Sequence, residues 1–169
     1  MKTKITLISA ATLMSIVPLF ALNNTAQAAD NSVKKTVMHT AIAYDKDGNR
    51  TSQKYNAYST VTVDSKPIAI NDDQYYKILG KDQYLKTTNI DGVTRKITHN
   101  TYIYKSSSAR TSYRGRWKLY RGETITTYGS SYKFKNGKSY FRVGGPRKQY
   151  IKSYNLGPVV NSDVESTSA

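Results

Sequence analysis

The sequence contains no cysteine. Disulfides and thiol chemistry are thereby excluded, and so is a lipid anchor on a cysteine. Acids are scarce, 11 against 26 lysines and arginines, and there are only two histidines, His39 and His99. Glycoside hydrolysis wants a pair of carboxylates flanking the bond, and the basic half of this chain has one acid, Glu123. There is no G-x-S-x-G, no H-E-x-x-H and no phosphate-binding glycine loop. Asp45-Lys46-Asp47-Gly48-Asn49 lacks the later bidentate glutamate of a calcium loop and reads as a polar hairpin turn. An enzyme is not expected, nor is any cofactor or metal ion. Long apolar runs are missing too, with one exception at the start.

That exception is Ile5 to Leu22, preceded by Lys2 and Lys4 and followed by the small-residue site Ala26-Gln27-Ala28. Charge, apolar core and A-x-A in that order read as a secretory signal peptide over 1–28, with the mature chain starting at Ala29. Thr6, Ser9, Thr12, Ser15 and Pro18 break the run too often for a membrane span. After the signal is removed, no membrane insertion is expected. Without the two leader lysines, 24 basic residues face 11 acids. An exported chain this basic gathers on polyanions: phosphate polymers, acidic glycans or nucleic acid.

The mature chain repeats itself. Gln83-Tyr84-Leu85-Lys86-Thr87-Thr88-Asn89-Ile90 returns as Gln149-Tyr150-Ile151-Lys152-Ser153-Tyr154-Asn155-Leu156. Lys35-Thr36-Val37-Met38-His39 matches Arg95-Lys96-Ile97-Thr98-His99, and Tyr76-Lys77-Ile78 matches Phe141-Arg142-Val143. The matches are collinear, so the chain is read as a duplication: repeat one over 33–93, repeat two over 94–157, and a polar disordered tail over 158–169. Inside each repeat the hydrophobic period is two. Val61-Thr62-Val63, Tyr75 to Ile78, Thr101 to Tyr104 and Ser139 to Val143 alternate as half-buried strands do. Asp47-Gly48, Asn136-Gly137 and Gly144-Gly145-Pro146 supply turns. The expected fold class is all-β, with four to six short strands per repeat curling into two small tandem barrels.

Charge is divided unequally. Repeat one has 9 basic residues and 7 acids; repeat two has 15 and one. Folding does not require that excess, so it is read as selection for a polyanionic partner. The densest stretch carries Arg110, Arg114, Arg116, Lys118 and Arg121, interleaved with Tyr113, Trp117 and Tyr120. A second cluster holds Arg142, Arg147, Lys148 and Lys152. Guanidinium forks suit phosphate oxygens, and aromatic faces suit sugar rings or bases. Trp117 fits either the core or the ligand face. His39 and His99 sit at matching repeat positions, which favours a structural role over catalysis.

The paired pattern K-x-V/I-x-H…R-T…Y-Y-K-I or Y-F-R-V…Q-Y-L/I-K-x-x-N-I/L resembles the SLAP domain of surface-layer and surface-layer-associated proteins of lactic acid bacteria. Its ending, Tyr140-Phe141-Arg142-Val143…Gln149-Tyr150-Ile151-Lys152-Ser153, is also similar to bacterial SH3-like wall-targeting modules. The resemblance spans about 33–157. It implies SH3-like β-barrels, no catalytic residue, and non-covalent attachment to anionic wall polymer such as teichoic or lipoteichoic acid. Other surface-layer proteins are possible partners, with nucleic acid only a non-specific polyanion. The alternative is an extracellular adhesin for DNA or host glycosaminoglycan. With only the leader ahead of the repeats, a free-standing wall module is expected rather than a lattice builder.

Overall fold

The computed structural model describes residues 31–144 and 147–160. The expected leader at 1–28 lies outside the described residues. Among those described, every element is a strand except two single 3-10 turns, Thr87–Asn89 and Ser153–Asn155. Repeat one comprises β1 (Ser32–Thr36), β2 (Ala41–Tyr44), β3 (Arg50–Tyr55), β4 (Thr60–Asp64), β5 (Ile68–Ile70), β6 (Asp73–Lys77) and β7 (Tyr84–Lys86). Repeat two comprises β8 (Val93–Ile97), β9 (Thr101–Tyr104), β10 (Arg110–Thr111), β11 (Lys118–Leu119), β12 (Thr124–Lys133), β13 (Ser139–Arg142), β14 (Tyr150–Lys152) and β15 (Leu156–Val159). The counts exceed the expected four to six because several strands are only two or three residues long.

The strands pair as β3-β2-β7-β6-β5 in repeat one, with β1 and β4 forming a separate ladder bridged to the sheet at Val63–Ile78. In repeat two the path is β10-β9-β14-β13-β12-β8-β15, and β11 also pairs with β9. Both paths are open, so the pairings do not draw a closed barrel. The outer strands β10 and β5 are only two and three residues long, one way a sheet limits an exposed edge without closing. Strand β15 pairs Val159 with Arg95, and the Val160 amide donates to the Thr94 carbonyl. Residues 158–160 therefore belong to the sheet and not to a tail; 161–169 lie outside the described residues.

The duplication is visible bond by bond. The Val37 amide donates to Ser59 as Ile97 does to Glu123, at 2.9 and 2.7 Å. Met38 donates to Asn89 as Thr98 does to Asn155, and Ile78 to Gln83 as Val143 does to Gln149. Cross-strand neighbours match as well: Tyr75–Lys86 with Tyr140–Lys152, and Tyr44–Tyr84 with Tyr104–Tyr150. The inner cores correspond, Val37, Ala43, Val61, Ile78 and Leu85 against Ile97, Ile103, Ile125, Val143 and Ile151. Alternation sends the tyrosines to the other face. There Tyr44, Tyr75, Tyr84 and Ile70 form a second cluster in repeat one. In repeat two Phe134 stacks on Tyr140 at 4.2 Å and meets Tyr150 edge-on at 5.0 Å. The central strands are thus buried on both faces.

The repeats meet along β12. In repeat one the equivalent segment is broken into β4 and β5 by Ser65-Lys66-Pro67; in repeat two it runs on and bends at Gly129, φ 60°. Gly129 packs on the His39 ring so closely that an added Cβ would sit 2.6 Å from its Cγ. The His39 ring also stacks on Tyr132, with centroids 4.6 Å apart. Arg142 is buried here, its guanidinium 4.7 Å from the Tyr58 ring and 5.6 Å from Tyr150. Tyr58 holds φ 72°, where repeat two has Gly122 at φ 95°. A tyrosine in that conformation costs about 1–2 kcal/mol, so its ring contact with Arg142 is bought with backbone strain.

Two glycines at positive φ separate packing from turn strain. Gly129→Ala meets both, and is expected to destabilise by about 2–4 kcal/mol. Gly137→Ala, at φ 75° with no atom within 4 Å, is expected to cost only about 1 kcal/mol. Urea unfolding of the two variants measures the difference; equal losses would mean that Gly129 does not hold the repeats together.

Candidate functional site

The matched ladders allow each charge in repeat one to be followed into repeat two. In repeat one, Lys86 lies 5.4 Å from the Tyr44 ring and 5.7 Å from Tyr75, and pairs with Asp73 at 2.5 Å. Its counterpart Lys152 lies 5.1 Å from the Tyr104 ring. The position of Asp73, paired with Ile70, is taken in repeat two by Lys138, whose carbonyl accepts from Phe134. Lys152 thus faces another cation where Lys86 faces an acid. The same inversion occurs at Asp45, whose amide donates to Asn49, against Lys105, whose amide donates to Ala109. It occurs again at Asp82 and Lys148, which precede Gln83 and Gln149. Asp91, which holds Lys35 at 2.7 Å, is replaced by Gly157, whose carbonyl accepts from Arg95 at 3.2 Å.

These inversions contribute to two basic surfaces. The first is an open groove of about 940 Å³, with Arg110, Lys138 and Lys152 around Tyr102, Tyr104 and Tyr154. Asn100, Asn155, Ser139 and Ser153 add neutral donors and acceptors, and among the described residues no carboxylate lines it. Arg110 lies flat against Tyr102, 3.6 Å from its centroid. Repeat one has the same groove, about 650 Å³, with Ile42, Tyr44, Arg50, Lys86 and Asn89 at matching places and Asp73 inside it. That groove is also lined by Gly129, Ser130, Ser131 and Phe141 of repeat two. The second surface gathers Lys105, Lys133, Lys135 and Lys148 around Phe134 and Tyr150. The Lys135–Lys138 turn joins the two surfaces.

The predicted residues are divided by the structure. Arg110 and Lys152 meet in the groove, and Lys148 joins the lysine surface. Arg114, Arg116, Trp117 and Lys118 ride on a short hairpin, with Tyr113 at its base packed against the core. Arg116 is paired with Glu123 at 2.6 Å, whose carboxyl is held below its ordinary pKa by that guanidinium. Trp117 is exposed, at 58%, and is not a core residue. Arg121 lies apart beside Lys96, and Arg147 is exposed on the loop before β14. Arg142 is a correction: it is 5% exposed and faces Tyr58, because repeat one packs over the strand face that Lys77 leaves exposed in the first copy. Lys105, Lys133, Lys135, Lys138 and Tyr154 were missed. The signal was available, since aligning the repeats position by position sets Asp45, Asp73 and Asp82 against lysines.

The surface layer protein A domain matches the sequence twice, over residues 28–88 and 87–153. The chain belongs to the surface layer protein A domain family. A further likeness is to an S-layer protein of Lactobacillus helveticus, 40% identical over 140 residues, which takes in 79% of this chain. The chain spans about a third of that relative, 31% of its length. Surface layer protein A domains are structural and non-catalytic, and this chain is not an enzyme. The repeat found in the sequence is therefore a tandem pair of surface layer protein A domains, and the groove of the first copy is lined in part by the second.

His39 sits at that contact. Its Nδ1 is 2.9 Å from the Thr40 carbonyl, while Nε2 is buried without a hydrogen-bond partner. Burial first, and then the nearby positive charge of Arg142, lower its pKa below the ordinary 6.5. A base whose folded pKa is lowered binds its proton more readily when unfolded, so stability is full above about pH 6.5 and declines as pH falls below it. The melting temperature is expected to fall between pH 7 and pH 5, and to fall less in His39→Gln. Identical pH profiles would remove His39 from the acid response.

Proposed function

We propose that this is an exported wall-associated protein whose second repeat holds an anionic wall polymer, of the teichoic or lipoteichoic type, without catalysis. In this reading residues 1–28 direct export, the repeats at 33–93 and 94–157 are SH3-like modules, and the protein resides at the cell surface. The observation that carries the proposal is the replacement of Asp73 by Lys138 in an otherwise matching groove. In repeat one the acid neutralises Lys86 and the second domain walls part of the groove. In repeat two the cations Arg110, Lys138 and Lys152 line an open groove with no acid among the described residues that line it. A repeated phosphodiester supplies that charge at regular intervals, and its binding releases counterions from the polymer. The lysine surface around Phe134 extends the track, while the arginines of the hairpin add to the field that draws the polymer in.

Binding of this kind weakens steeply with salt. Retention on purified walls is expected to fall at least about tenfold between about 50 and about 200 mM salt, and to vanish on walls stripped of teichoic acid. Lys138→Asp restores to Lys152 the partner that Lys86 has, and is expected to weaken retention about tenfold with no loss of folding, each unit charge contact adding close to one power of salt dependence. Salt-insensitive retention on stripped walls would overturn the proposal in favour of neutral peptidoglycan. Stronger competition by heparin or DNA than by teichoic acid would favour an adhesin for those polymers.

A further inference from the structure

The hairpin that carries Trp117 has no counterpart in repeat one. Arg50 opposite Tyr44 corresponds to Arg110 opposite Tyr104, and Lys54 opposite Ile42 to Lys118 opposite Tyr102. Three residues lie between Arg50 and Lys54, and seven between Arg110 and Lys118. The four extra residues leave the sheet as a tight turn. The Tyr113 amide donates to the Arg116 carbonyl at 2.8 Å and the Arg116 amide back to Tyr113 at 3.0 Å. Arg114 and Gly115 at the tip take φ 50° and 77°, as a type I′ turn requires.

This finger is held at its base. Gln149, buried, donates from Nε2 to the Ser112 carbonyl at 2.5 Å. Tyr113 packs on the core, Arg116 is tied to Glu123, and the Trp117 carbonyl accepts from Ile103 at 3.1 Å. Against this fixed backbone the indole of Trp117 stands exposed, and it is the only tryptophan in the chain. Its sequence neighbours Arg116 and Lys118 are charged and lie 5.8 and 5.3 Å from the exposed ring of Tyr120, so cations border the aromatic faces on offer.

We propose that the finger is a carbohydrate-contacting element of repeat two, in which Trp117 stacks on one pyranose ring of a neutral wall glycan while Arg114 donates to its hydroxyls. A pyranose offers a ring-sized C–H face bordered by hydroxyls, which matches a single indole among guanidinium donors; a lipid surface would call for a wider apolar area. The inference rests on repeat two being the wall-facing half, but it involves a different ligand from the groove's phosphates. The protein would then hold one wall through two chemistries, charge in the groove and stacking at the finger.

Because Trp117 is the sole indole, its emission reports the finger directly. The whole protein is titrated with tetramers of β-1,4-linked N-acetylglucosamine, of β-1,4-linked glucose and of α-1,4-linked glucose, each to about 10 mM, a range suited to a single stacking contact. At least one is expected to shift the emission to the blue and protect it from iodide quenching, to the same extent at low and high salt. Sugar-free poly(glycerol phosphate) should leave the emission unshifted while still binding with salt dependence. In calorimetry Trp117→Ala should weaken sugar binding at least tenfold and Trp117→Phe less, with wall retention still salt-sensitive in both. No response to any of the three sugars overturns the proposal and leaves the polyanion reading standing. A blue shift with anionic phospholipid vesicles alone also overturns it and assigns the finger to a membrane surface. Loss of polyanion binding by the unmodified protein would instead sink the groove reading.

Discussion

A lysine laid across a tyrosine face recurs at one position of each repeat, and the charge opposite it decides what each half can do. Lys86 has Asp73 at 2.5 Å; Lys152 has Lys138 across the groove. The strand pairing that carries both lysines is the same, Tyr75–Lys86 and Tyr140–Lys152, so the difference lies in the side chain opposite. A partly exposed ion pair contributes at most about 1 kcal/mol, so losing one costs the second repeat little. What it gains is a site whose positive charges are unspent. Repetition of the change at Asp45 and Asp82 makes it a property of a surface and not of one residue.

The two grooves also differ in what walls them. The β12 bend at Gly129 forms part of the wall of the first groove, where Arg95 and Asp73 line the same pocket with opposite charges. A third domain placed on the second repeat in the same way would bring Lys35, the counterpart of Arg95, toward Lys138 and Lys152. The first groove, with charges of both signs, therefore suits a neighbouring domain, and the second, which carries only cations among the described residues, would repel one placed in the same way. The strained Tyr58 and the buried Arg142 belong to the same contact, which fixes the pair as one unit.

Much of this was legible in the chain itself. Period-two alternation located β4, β6, β9 and β13, because alternate residues of each face a hydrophobic core. The duplication was legible because both copies solve the same packing problem with Val, Ile and Leu at the same places. Arg142 was misread because Lys77, its exposed counterpart, gives no hint that the other repeat will lie on top. Trp117 stayed open because an insertion has no partner to be compared with. The groove itself was hidden by sequence distance: Arg110, Lys138 and Lys152 come from three separated segments and meet only when β10, β9, β14 and β13 lie side by side. Closed barrels were expected from edge protection, but both strand paths are open, and a short outer strand, β10 or β5, limits the exposed edge on one side of each.

Concentrating fifteen basic residues and one acid in about sixty residues works against folding by self-repulsion. The second repeat tolerates it because its charged groups lie on aromatic faces at the surface, as Arg110 does on Tyr102, Lys152 on Tyr104 and Arg95 on Phe141. Such contacts stabilise a cation without neutralising it. An acid in the same places would stabilise it equally and cancel the field. The abundance of tyrosine, fifteen in this chain, then has a reason beyond β-propensity: it lets a small sheet carry a dense positive face that is still free to meet a polymer.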